Sequence, residues 1–216
     1  IETLRSRCTF FFDYGNSLTT TMYETGIKEV CVNGENSLDG FIYPSFVEAF
    51  LGPNLFDLGY GPFRWVCLSG RDEDLHKTFA VNYVVTFYLT LAVVPHLTEG
   101  DSIINTTSVT AYEGNETLLD YSSTKGALTA CTLSLASNLA KKGILVNAVA
   151  PGPSWTPLIP ASFDSQKVSQ HGANVPMKRM GRPVELAGAY VLLASNEGSY
   201  MSGITIHVNG GTIINC

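Results

Sequence analysis

The chain has 216 residues, 45% of them hydrophobic and 15% charged, and a net charge of −6. That length suits one α/β domain able to bury a substantial core, and an acidic balance with no dense Lys/Arg patch excludes a nucleic-acid or other polyanion-binding surface of the usual kind. The charged share lies below the ~25% typical of soluble domains, which points to a surface partly buried in an oligomer.

In chain order, Thr9–Phe12 reads as a first strand, Leu18–Thr25 as a short helix closed by Gly26, Glu29–Val32 as a second strand and Pro44–Leu51 as another helix. The glycines and prolines of residues 52–62 mark a loop, and Phe63–Leu68 reads as a strand running into Ser69-Gly70. Residues 74–97 read as a long helix. Its part 79–97 is almost uncharged and nearly long enough to span a bilayer. Asn82, Thr86, Thr90, Pro95 and His96 interrupt that run, so a buried or interface helix is expected and no membrane. Asp101–Thr107 reads as a strand. Tyr121–Lys142 reads as a helix stopped by Gly143. Ile144–Ala150 is a continuous apolar run of the kind found in buried parallel sheets, ended by Pro151-Gly152-Pro153. Arg182–Ser195 is expected to be a helix starting around Pro183, and Ile204–Val208 a last short strand before Asn209-Gly210-Gly211. Strands alternating with helices predict an α/β fold with a mainly parallel sheet.

The five cysteines (Cys8, Cys31, Cys67, Cys131, Cys216) are widely spaced, without a CxxC pair or Cys/His cluster. They read as free thiols in a reducing, cytoplasmic compartment, with neither a disulfide framework nor a metal site. Residues 1–12 do not read as a signal peptide. Of the N-x-T sequons at Asn105 and Asn115, the first falls in a buried strand and is read as chance.

Tyr121-Ser122-Ser123-Thr124-Lys125 is a Y-x-x-x-K. On a helix, positions i and i+4 share a face, and an ammonium beside a phenol favours the phenolate. Such a pair can exchange a proton with an alcohol or carbonyl oxygen. By itself the pattern recurs on solvated helix faces. Here Ser108 follows a parallel strand, thirteen residues before Tyr121, where α/β folds place their sites.

With SIINTTSVTAY, LLDYSSTKGALTA, LAKKGILVNAVAPGP, VPMKRMGRPVELA and SGITIHVNGG in that order, residues 74–216 closely resemble the short-chain dehydrogenases/reductases, and within them a glucose-dehydrogenase-like subgroup. The resemblance implies a doubly wound Rossmann-type sheet with helices on both faces. The whole chain would be one domain, residues 74–216 its catalytic part and residues 1–73 a shortened, divergent coenzyme side. It implies Tyr121 as general acid/base, Lys125 as the group that favours the phenolate and bonds the coenzyme ribose, and Ser108 as the residue orienting the substrate oxygen. Asn82 matches the helix asparagine that holds a water in the family's proton relay; by its residue type alone it would be a polar group capping or kinking a buried helix. Pro151 and Gly152 match the turn beside the nicotinamide, and Ser154 and Thr156 match positions that contact its carboxamide and the phosphates. Residues 157–180 match the substrate-binding segment. The family's usual assembly implies a homodimer or homotetramer formed through the two long central helices and the last strand.

The nucleotide side departs from the pattern. Where the family carries T-G-x-x-x-G-x-G between first strand and helix, Asp13–Thr20 holds one glycine, and Cys67-Leu68-Ser69-Gly70 stands for N-N-A-G. Glycines there let the backbone approach a pyrophosphate. Two readings follow. One is an oxidoreductase using NAD or NADP to interconvert a small alcohol and its ketone or aldehyde. The other is a coenzyme-independent relative, a lyase, isomerase or scaffold.

Overall fold

The computed structural model describes residues 9–12 (as backbone), 72–156, 159–160 and 163–214. The elements expected between Leu18 and Leu68, the Asp13–Thr20 turn and the Cys67–Gly70 segment lie outside the described residues.

Among the described residues the chain forms a four-stranded parallel sheet in the order β1 (Thr9–Phe12), β2 (Ser102–Thr106), β3 (Leu145–Pro151) and β4 (Thr205–Val208). The register sets Thr9 beside Ser102, Ser102 beside Leu145 and Ala148 beside Thr205. The helices are α1 (Asp72–Phe79), α2 (Val85–Val93), α3 (Thr110–Glu113), α4 (Leu119–Leu139), α5 (Ser165–Gln170) and α6 (Pro183–Ala194). α1 and α2 are one continuous rod, joined by a π-helical turn at Ala80–Val84 and ending in a 3-10 turn at Val94–His96. Asp72, Glu73 and Asp74 open it, where acidic side chains suit the N-terminal end of the helix dipole.

Successive residues of a strand point to opposite faces, and β2 and β3 are apolar on both. Ile103 and Val146 pack under Val85, Leu89, Ala136 and Leu139, from α2 and α4. Ile104 and Val149 pack against Leu186, Tyr190, Leu193 and Ala194 of α6. Helices therefore cover both sheet faces: the fold is Rossmann-type. Each fully buried aliphatic side chain in these layers contributes about 1.5–3 kcal/mol. The rod Asp72–His96 is long and apolar enough to cross a membrane by length and composition, but Val85, Leu89 and Val93 face the core.

Among the described residues, the expected elements appear within two residues of their expected ends. α4 begins at Leu119, and its last turn tightens into a 3-10 turn before Gly143, whose φ of 69° is the left-handed conformation that ends helices. Pro183 is the first residue of α6, and the Glu185 carboxylate accepts a 2.7 Å bond from the Arg182 N–H. The sequence did not mark α3, just after Ser108, or α5 within 157–180, capped by Asp164 accepting from the Lys167 N–H at 2.8 Å.

Candidate active site

In a parallel α/β sheet the usable crevice lies at the carboxyl ends of the strands. Beyond the end of β2, the Thr107 N–H donates to the Val149 carbonyl at 2.9 Å and the Val109 N–H to the Pro151 carbonyl at 3.1 Å. Ser108 is buried between these two anchors, beside the end of β3. Its Oγ accepts from the Thr110 N–H (3.2 Å) and hydroxyl (3.1 Å), a local turn of the kind serine favours.

α4 supplies Tyr121 and Lys125. The Lys125 Nζ lies 5.5 Å from the centre of the Tyr121 ring, within range of a cation–π attraction. The side chain is only 7% exposed, and a buried ammonium requires partners. Nζ donates to the Thr106 carbonyl at 2.8 Å. The backbone of Lys125 is fixed as well: its carbonyl accepts from the hydroxyls of Thr107 and Thr129, each at 3.0 Å. Thr107 thus anchors Lys125 while preceding Ser108 in sequence.

At the end of β3, the Gly152 N–H donates to the Val208 carbonyl at 2.9 Å. A Cβ at Gly152 would come within 2.6 Å of the Asn209 Cα, so only glycine permits this approach of two chains. Ser154 bonds the Gly152 carbonyl at 3.1 Å. The segment then pairs with Gly181: the Gly181 N–H bonds the Pro153 carbonyl at 2.9 Å and the Trp155 N–H the Gly181 carbonyl at 2.8 Å. Thr156 continues this segment, its carbonyl accepting from the Ile159 N–H at 3.0 Å.

Asn82 sits in the π-helical turn, where the Val85 N–H reaches back to the Ala80 carbonyl. Such single π turns recur at functional sites. The Asn82 Nδ2 is buried without a hydrogen-bond partner from the protein. Next to it, Tyr83 faces Cys131. Burial raises both their pKa values; Cys131 raises that of Tyr83 further, while the tyrosine hydroxyl partly offsets the rise at Cys131.

The fold therefore links Ser108 to Pro151 through Val109 and to Lys125 through Thr107, and sets Tyr121 beside Lys125. The residues that position them were not read from the sequence. Besides Thr107 and Thr129, Thr106 bonds the Tyr190 hydroxyl at 2.8 Å, and the Thr78 hydroxyl meets the Asp120 carboxyl at 2.6 Å. Threonines facing β2 at the helical spacing of Lys125 and Thr129 were the available signal.

A family model described as Enoyl-(Acyl carrier protein) reductase matches residues 61–212. The chain belongs to the short-chain dehydrogenase/reductase family. Within this family, a Bacillus subtilis (strain 168) protein named uncharacterized oxidoreductase YhdF is 64% identical over 147 residues, 68% of this chain and 51% of that protein. The NADPH-dependent aldehyde reductase 1, chloroplastic, of Arabidopsis thaliana is 55% identical over 142 residues, 65% of this chain and 49% of that one. The crystal structure of a short-chain dehydrogenase from Burkholderia cenocepacia J2315 in complex with NADP superposes with a TM-score of 0.63 at 28% identity, covering 70% of this chain and 62% of that one. The chain spans about half the length of the curated relatives it matches.

Proposed function

We propose that this short-chain dehydrogenase/reductase chain carries the proton-transfer side of an NADP(H)-dependent oxidoreductase that interconverts a small alcohol with its ketone or aldehyde. The observation that carries the reading is Lys125: a buried ammonium held at the end of β2, one helical turn from Tyr121 and two residues from Ser108 through Thr106. The preference for NADP(H) rests on the Arabidopsis relative and the Burkholderia neighbour, whose names state that coenzyme.

The donor set suits a nicotinamide coenzyme. An ammonium has three donors; Thr106 takes one of them from Lys125, and the others match ribose hydroxyls. Pro151, Gly152, Ser154 and Thr156 would line the nicotinamide side. A bound nicotinamide would supply the hydride in reduction and take it up in oxidation. The chain's own residues do the rest. Ser108 holds the substrate oxygen by its hydroxyl, Tyr121 gives that oxygen a proton during reduction or takes one during oxidation, and Lys125 stands beside the Tyr121 ring, its Nζ 5.5 Å from the ring centre. Asn82 would hold, through its buried Nδ2, the water that links Lys125 to solvent protons. A homodimer or homotetramer in the cytoplasm belongs to the same reading, supported by exposed Phe87, Tyr88, Leu91 and Leu133 on the two long helices.

The test is a titration of the purified chain with NADPH and NADH, followed by reduced-nicotinamide fluorescence. Saturable binding, tighter for NADPH, is expected, followed by carbonyl reduction in a substrate screen. A folded protein that binds neither coenzyme overturns the reading and leaves Tyr121 and Lys125 to coenzyme-free proton transfer.

A further inference from the structure

α1 and α4 pack side by side, and so do the π-helical turn and α4. A side-chain pair lies deep in the interface: the hydroxyl of Thr78, 2% exposed, meets Oδ2 of Asp120, 1% exposed, at 2.6 Å across 42 residues of sequence. The same hydroxyl lies 2.9 Å from the Asp74 carbonyl, so it is within bonding distance of its own helix and of the neighbouring one. Asp120 stands in the first turn of α4, where the helix N–H groups favour an acidic side chain.

The position of this pair matters more than its strength. Thr78 precedes Asn82 by four residues and lies just before the π-helical turn that carries it. Asp120 is covalently adjacent to Tyr121. A π turn is a local departure from the helical ladder, and the Asn82 Nδ2 within it has no protein partner to fix it. Within the turn, Tyr83 meets Cys131 of α4; the Thr78–Asp120 pair is a second, buried tie between the two helices, next to Tyr121 in sequence.

We infer that Thr78 and Asp120 are positioning residues, a buried clasp that holds Asn82 in register with Tyr121 and Lys125. This rests on the proton-transfer reading of those three residues. The clasp touches neither substrate nor coenzyme. It acts through the spacing of two helices, and small misplacements of reacting groups are costly in rate.

Thr78→Val keeps the shape and removes the hydroxyl; Thr78→Ser restores it. In Thr78→Val, kcat is expected to fall about tenfold and its solvent deuterium isotope effect to rise, with KM for the carbonyl within about twofold, while Thr78→Ser recovers most of the loss. Independently of activity, selective 15N-asparagine labelling follows the Asn82 side-chain amide. Its resonance is expected to move in Thr78→Val and to return in Thr78→Ser. Should Thr78→Val not fold, Thr78→Ala carries the same measurements. A variant that melts earlier but leaves kcat, the isotope effect and the Asn82 resonance unchanged makes the pair a packing contact only and overturns the inference. If the unaltered chain neither binds nicotinamide nor turns over, the functional reading fails. The resonance then decides alone: a shift supports the clasp and no shift overturns it.

Discussion

Lys125 and Thr106 are joined by a 2.8 Å hydrogen bond from ammonium to carbonyl, so the end of β2 fixes the positive charge one helical turn from Tyr121. The bond spans 19 residues and is buried. Lys125→Met keeps the aliphatic stem, deletes the charge and removes the buried hydrogen bond to the Thr106 carbonyl. The expected cost is about 1–3 kcal/mol of stability, together with weaker nicotinamide binding. Thermal unfolding and the fluorescence titration read the two effects separately.

Tyr121→Phe removes the phenolic oxygen and little else. Turnover is expected to fall by about 10²–10⁴-fold, with the fold and coenzyme affinity retained. Activity persisting in this variant would remove Tyr121 from the chemistry.

Gly152→Ala places a Cβ 2.6 Å from the Asn209 Cα, a backbone atom that cannot turn away. Overpacking of this kind costs about 1–3 kcal/mol, and it would push the end of β3 off β4. A lowered melting temperature and weakened nicotinamide binding are expected together, since the displaced strand end leads into Ser154.

Glu185 gives a stability term with a defined pH window. The Arg179 guanidinium, bonded to both its carboxylate oxygens at 2.8 Å, and then the Arg182 N–H hold its pKa at about 2 instead of 4.5. A depressed carboxyl pKa stabilises the fold above the unfolded value and loses that contribution as pH falls from 4.5 toward about 2. Glu185→Gln is expected to melt below the parent at pH 7. The gap should narrow across that acid window and shrink in high salt, because the pair is exposed. Melting curves from pH 7 to pH 2 check it.

His207 titrates with the same sense in a higher window. Its ring meets Tyr112 edge-on at 4.6 Å and its Nδ1 is buried without a partner. Burial lowers its pKa below 6.5, while Glu113 partly opposes the shift. The unfolded chain therefore takes up the proton first, and stability falls as pH drops below 6.5. His207→Phe keeps a ring against Tyr112 and is expected to flatten that slope in urea titrations. His171, also lowered by burial, contributes a separate part that remains.

The main strands and long helices of residues 72–214 were legible where two signals agreed. β3 is an apolar run interrupted only by Asn147, preceded by Gly143 and ending at Pro151, and α6 begins on a proline. The Y-x-x-x-K spacing likewise fixed Tyr121 and Lys125 on one helix face. What stayed hidden depends on register between elements. The π turn around Asn82 has no composition signal. The roles of Thr107 and Thr129 appear only once β2 lies under α4. α5 is a short polar helix without apolar periodicity, so nothing within residues 157–180 marked it.

Ser108, Tyr121, Lys125 and Gly152 all lie on or at the rim of one unit, β2–α4–β3, running from Ser102 to just past Pro151. Ile103 and Val146 in this unit are fully buried, and its polar seam runs through Thr106, Thr107 and Lys125. Proteins open in cooperative blocks, and such well-packed blocks exchange their amide hydrogens last. Amides of Ile103, Ile104 and Val146–Val149 should accordingly be the slowest to exchange in the described chain, and the reactive groups should keep their arrangement while helix ends and the 163–181 segment open and close around them.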